Sequence, residues 1–146
     1  MDKKLVVALV ILFFVILAGA VLLAWPTPIK NGNDFVEPPF ISANVTVSSP
    51  APDSTVPSSF TLIGRARGNW YFEASFPVEV QDANGNVVGQ GLATAEGEWM
   101  TTEFVPFSAP VTIENYSGPA TLVLIKDNPS GLPEHDDSVS FPITVQ

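Results

Sequence analysis

The segment WYFEASFPVEVQ, Trp70 to Gln81, alternates along its whole length. Trp70, Phe72, Ala74, Phe76, Val78 and Val80 fall on one side of an extended chain, and Tyr71, Glu73, Ser75, Pro77, Glu79 and Gln81 on the other. Successive side chains of a strand point to opposite faces, so a period of two describes a strand with one face in a core and one toward solvent. The C-terminal segment repeats the pattern: Val139, Phe141, Ile143 and Val145 face in and Ser138, Ser140, Pro142 and Thr144 face out, with Pro142 at an edge position that needs no ladder donor. Thr121 to Ile125 (TLVLI) differs, because it is apolar on both sides, as a central strand covered on both faces would be.

Outward from these segments, short apolar runs separated by turn residues continue from Ile41 to the C-terminus, and no stretch has a helical period long enough to compete. Strands are expected at Ile41 to Ser48, Phe60 to Ala66, Trp70 to Gln81, Val87 to Thr94, Trp99 to Phe107, Val111 to Asn115, Thr121 to Lys126 and Ser138 to Val145. Hairpin turns are expected at Asp82 to Asn86, Glu96 to Glu98 and Ser117 to Pro119, whose Gly, Asn, Asp and Pro residues suit tight reversals. Seven or eight strands in this length, each with one apolar face, predict an all-β sandwich of two antiparallel sheets packed face to face.

Upstream the composition changes. Leu5 to Trp25 is an uncharged apolar run of 21 residues, and at about 1.5 Å per residue a helix of that length crosses the roughly 30 Å hydrocarbon core of a bilayer. Lys3 and Lys4 precede it, so residues 1–4 are expected to stay in the cytoplasm and the remainder to lie outside, with residues 5–25 as a single-pass transmembrane signal anchor in the lipid bilayer. Ala18-Gly19-Ala20 has the small-x-small form of a signal-peptidase site, which leaves cleavage after Ala20 as the competing reading. Apolarity that runs on to an interfacial Trp25 favours the anchor. Residues 26–40 hold four prolines and an Asn-Gly-Asn-Asp cluster and read as a partly extended linker, which leaves 41–146 as the folded domain.

Charge and cysteine content narrow the chemistry. Residues 26–146 carry four basic residues against fourteen acidic ones, a net −10, which repels nucleic acid and anionic headgroups. The chain has no cysteine, so disulfides, thiolate catalysis, Cys-bound zinc and lipidation through Cys are excluded.

Three stretches carry a family resemblance: Gly64-Arg-Ala-Arg-Gly-Asn-Trp70-Tyr-Phe-Glu73-Ala-Ser-Phe76 with Val78-Glu-Val80-Gln-Asp82-Ala-Asn-Gly85; Ala93-Thr-Ala-Glu-Gly97-Glu-Trp99-Met; and Thr121 through Asp137 before a closing strand. From about Ile41 to Gln146 the chain resembles the immunoglobulin-like domains of bacterial spore germination. The resemblance implies an immunoglobulin-like sandwich on an envelope protein, and it implies no reaction.

Candidate functional residues fall in two places. Arg65, Arg67, Tyr71 and Glu73 belong to the motif. There Glu73 is expected beside an arginine, as a recognition pair or a cross-strand ion pair, and Tyr71 is expected to be the outward aromatic while Trp70 and Trp99 pack in the core. The segment Asp127 to Asp137 holds Asp127, Glu134, His135, Asp136 and Asp137. Asp127, Glu134, Asp136 and Asp137 could supply oxygen ligands to calcium, but the spacing matches no EF-hand loop and two prolines restrict convergence, so a solvated acidic loop is the favoured reading and a calcium site the competing one. His135 has no Cys or second His to share a metal and no nucleophile at readable spacing. The expectation is a non-enzymatic module without cofactors, binding another envelope protein noncovalently. The alternative is a wall-glycan-binding module that stacks sugars on Tyr71.

Overall fold

The computed structural model describes residues 39–146 together with Lys3. Residues 5–25, read as the anchor, and most of the linker lie outside the described residues. Among the described residues no helix is long and apolar enough to cross a membrane.

Among the described residues nine strands form: β1 (Phe40–Ile41), β2 (Val45–Ser49), β3 (Thr55–Val56), β4 (Ser59–Arg67), β5 (Ser75–Gln81), β6 (Val87–Ala95), β7 (Phe104–Ile113), β8 (Gly118–Ile125) and β9 (Ser138–Val145). They make one hydrogen-bonded sheet in the order β1-β2-β4-β7-β6-β5-β8-β9-β3. Every neighbouring pair is antiparallel except β3 with β9. Two separate sheets were expected. Instead β6 pairs with both β5 and β7 and joins the two halves into one ladder.

The sheet curls until its halves face each other. Phe40 on β1 lies 4.9 Å from Phe141 on β9, and Phe76 on β5 lies 5.0 Å from Phe107 on β7, ring centre to ring centre, although neither pair of strands shares a ladder. Leu62, Phe76, Phe107, Leu122 and Leu124 are fully enclosed between the halves. Each such side chain contributes about 1.5–3 kcal/mol by leaving water.

Alternation assigned β5 from Phe76 onward and all of β9 to the correct faces, since Phe76, Val78, Val80, Phe141, Ile143 and Val145 are buried. It failed at Tyr71 and Phe72. Gly68–Trp70 is a 3₁₀ turn, and Phe72 and Ser75 exchange main-chain hydrogen bonds at 3.0 and 3.1 Å around Glu73 (φ 49°) and Ala74 (φ 64°). Two consecutive left-handed residues make a two-residue hairpin turn, which breaks the period of two. Tyr71 is therefore buried, at 4% exposure, and Phe72 stands out at 42%, the reverse of their expected sides.

Three other boundaries moved. The Ser42 hydroxyl takes the Val45 amide at 2.9 Å and ends β1 before β2 begins, which divides the expected strand Ile41 to Ser48. The expected strands at Trp99 and Val111 are one strand, β7, which passes through Pro106 and Pro110, with Trp99 ahead of it. The proline at 110 is tolerated because the β6–β7 pairing, regular at Gly91 with Val111 and Thr94 with Ser108, is interrupted between those pairs. Finally, Asp82 to Asn86 closes the β5–β6 hairpin as expected, but Glu96 to Glu98 is only part of a longer connection, and Ser117 to Pro119 leads across the sandwich because β7 and β8 are not neighbours.

At the far edge, β3 was not foreseen. It runs parallel to β9, and Ser54 accepts the Thr144 amide at 2.9 Å. Pro142 has the same parity as Thr144, so its missing donor falls on that outer edge, as its sequence position implied.

Candidate interaction surface

Gly64 and Gly68 set up the first candidate region. A side chain on Gly64 would collide with the Thr46 carbonyl and the Phe107 ring, and one on Gly68 with the carbonyls of Trp99 and Thr101. Only glycine lets the strands and the 96–103 connection approach this closely. Trp70, the next motif residue, is fully buried with its ring edge-on to Phe76 at 5.8 Å, and Trp99 packs partly buried against the core, so both tryptophans are packing residues.

The two arginines lie along the start of β7. Arg65 donates to the Phe104 carbonyl at 3.2 Å, and Arg67 donates to the Thr102 carbonyl at 3.2 Å with its guanidinium 4.2 Å above the Phe104 ring. Their donors go to main-chain oxygens, while Glu73 sits exposed at its hairpin tip. The expected Glu73–arginine pair does not form: both guanidiniums donate to main-chain oxygens and Glu73 stands in the left-handed turn.

Tyr71 also departs from expectation. Its hydroxyl donates to the Val105 carbonyl at 2.8 Å and its ring meets Phe76 at 5.1 Å. Burial pushes the phenol's pKa well above its ordinary value, opposed only in part by the Ala66 amide and the Arg65 charge. A buried, hydrogen-bonded tyrosine offers no surface on which a sugar can stack.

The Asp127 to Asp137 loop is organised by its own polar groups. Asn128 donates to the Leu132 carbonyl at 2.9 Å and to Asp136 Oδ1 at 2.7 Å, and the Lys126 ammonium donates to the His135 carbonyl at 2.8 Å. Asn44, in the β1–β2 turn, donates to Asp137 Oδ2 at 3.1 Å. Pro133–His135 forms a 3₁₀ turn with Glu134 and His135 exposed. Among the described residues no three acidic or histidine side chains gather closely enough to hold a metal ion.

Main-chain bonds bring four connections to one end of the domain. Arg67 donates to Asn44 at 2.9 Å, Gly68 to Glu103 at 3.0 Å, Ala95 to Ala74 at 2.8 Å and Asp127 to Trp70 at 3.0 Å. Both candidate regions, separate in sequence, thus share this end. It also exposes three large apolar side chains: Phe72, Met100 at 73% and Leu132 at 48%.

That arrangement, loops from distant parts of the chain gathered at one end of a curled antiparallel sheet, agrees with the result of comparison. A family model described as the immunoglobulin-like domain of bacterial spore germination matches residues 44–131. The chain belongs to this family. The match starts in the turn before β2 and ends inside the acidic loop, somewhat short of the 41–146 span expected, so β9 lies beyond it while still pairing with β8 along its length. It includes the close-packed glycines, Trp70 and the Tyr71 lock of this immunoglobulin-like domain. No curated protein and no solved structure matches the chain.

Sequence reasoning missed two shallow hollows. One is lined by Val87, Val88, Gly89, Gln90, Thr112, Glu114 and Asn115, at the opposite end of β6 from the loop cluster. The other joins Asp136 and Asp137 to Gln81, Val123, Ile125 and Ser138. The second had a signal in the sequence, the two-sided apolarity of β8.

Proposed function

We propose that this chain is a membrane-anchored, extracytoplasmic immunoglobulin-like module of the bacterial cell envelope that binds another envelope protein noncovalently. Family membership supports an interaction module. The observation that carries the reading is the exposure of Phe72, Met100 and Leu132 on loops held to one end of the domain. Apolar side chains presented together on a rigid scaffold lose water only when a partner covers them. The apolar run Leu5 to Trp25 supplies the anchor, and the linker, reaching at most about 45 Å when extended, keeps the domain near the bilayer.

The test is chemical crosslinking in intact cells, followed by recovery of the full chain from detergent-solubilised membranes and identification of what is attached. A defined envelope protein is expected, and its yield should fall when Phe72, Met100 and Leu132 are replaced together by serine. Recovery of wall polysaccharide with no specific protein would replace this reading with the glycan one.

A further inference from the structure

β8 is apolar on two faces, but the domain fills only one. Leu122 and Leu124 are enclosed in the core, whereas Val123 and Ile125 point the other way, are only partly buried, and floor an open hollow of about 630 Å³. Glu79 of β5 stands opposite Val123, with its Oε2 accepting from the Gln81 amide at 2.9 Å, and Ser138 of β9 stands opposite Ile125. Asp136 and Asp137 form the rim.

The rim carboxylates are braced from behind. Asp136 uses Oδ1 for Asn128 and Asp137 uses Oδ2 for Asn44, so in each the second oxygen has no partner among the described residues. Lys126, which precedes the loop, is held on the His135 carbonyl. An aliphatic floor beside fixed carboxylates matches the two halves of a lysine or arginine side chain, whose stem packs on apolar surface while its charged head stays with polar partners. A net charge of −10 over residues 26–146, linker included, also favours encounter with a basic partner.

We infer that the hollow on the outer face of β5, β8 and β9 receives a lysine- or arginine-bearing segment of a protein partner. The basic side chain lies along Val123 and Ile125 with its cation at Asp136 and Asp137. This rests on the protein-interaction reading above and gives it a second contact surface and a partner chemistry. The hollow adjoins the acidic loop, so one partner can engage it and the loop end together.

The full chain in detergent micelles, titrated with a blocked peptide of alternating lysine and valine and followed by amide chemical shifts, tests the inference. Shifts should cluster at Gln81, Val123, Ile125 and Ser138, and a matched glutamate–valine peptide should give none. Val123→Ser alone, and Asp136→Asn with Asp137→Asn, should each weaken binding roughly tenfold, with the other shifts of the folded domain unchanged. The absence of shifts overturns the inference. So do equal shifts at Glu96, Glu98 and Glu103, or binding indifferent to Val123→Ser, since both describe attraction by charge alone. If the crosslinked envelope protein survives all three substitutions but is lost with the Phe72, Met100 and Leu132 set, the interaction reading stands and this location falls.

Discussion

The hydroxyl of Tyr71 donates to the carbonyl oxygen of Val105 at 2.8 Å, fastening the connection after β4 to the start of β7. The bond is buried, and the segment it holds contains both the 3₁₀ turn and the left-handed hairpin turn. Tyr71→Phe should therefore lower unfolding free energy by about 1–2 kcal/mol, because the Val105 oxygen is left without its partner. Urea denaturation at neutral pH measures the difference.

The same residue sets an alkaline limit. The folded-state pKa of Tyr71 is raised above the ordinary value of 10.0 chiefly by burial, so the native state holds a proton that the unfolded chain releases. Its contribution is fully present below about pH 10 and is lost as pH rises above that value. A melting series from pH 8 to pH 11.5 should show stability falling at the upper end, with a shallower fall in Tyr71→Phe.

The hairpin turn at Glu73 and Ala74 reverses the roles of neighbouring aromatics. Phe76→Ala empties a fully enclosed site and should cost about 3–5 kcal/mol, whereas Phe72→Ala, at an exposed position, should stay within about 1 kcal/mol. Equal losses in denaturant melts would show that the turn is misplaced.

Asp82 organises the β5–β6 hairpin. Its Oδ1 accepts the Asn84 and Asn86 amides at 2.8 and 2.9 Å and its Oδ2 the Asn86 side chain at 2.9 Å, and these bonds, those from Asn86 foremost, hold its carboxyl below the usual carboxylate range. A lowered folded-state pKa stabilises above the unfolded value of about 4 and ceases to do so as pH falls through the folded one. Asp82→Ala should therefore be less stable than the parent at pH 6, and the two should converge in acid melts.

Topology is directly measurable. The proposed anchor predicts that the chain stays in the membrane fraction after carbonate washing and that protease added outside the membrane digests residues 41–146. A soluble product beginning at Val21 would show cleavage and remove the anchor.

The features legible in the sequence were those carried within single strands. Alternation from Phe76 to Val80 and from Val139 to Val145 reports which face is dry, and the Asp82 to Asn86 turn announces itself through residues that suit reversal. The family motif was legible too, since Gly64 and Gly68 stand where any side chain would strike a neighbouring carbonyl. Of the candidate site, the acidic loop and both arginines were named, but Tyr71 was put on the wrong face. The cause is physical: Glu73 and Ala74 take left-handed conformations although neither is Gly or Asn, so no local composition marks the turn.

By itself, then, the sequence determined an all-β domain, most of its inward faces and its net acidity, because these depend on side-chain chemistry and a period of two. Only the tertiary structure decided that β6 joins the halves into one curled sheet, that Tyr71 is locked to Val105, and that four loops meet at one end. Those outcomes depend on which strands pair across long separations, a choice made by packing over the whole core. The outer face of β8 shows the difference most plainly: its apolar residues were visible in the chain, but that they floor an open hollow beside Asp136 and Asp137 follows only from the placement of β5, β9 and the acidic loop around them.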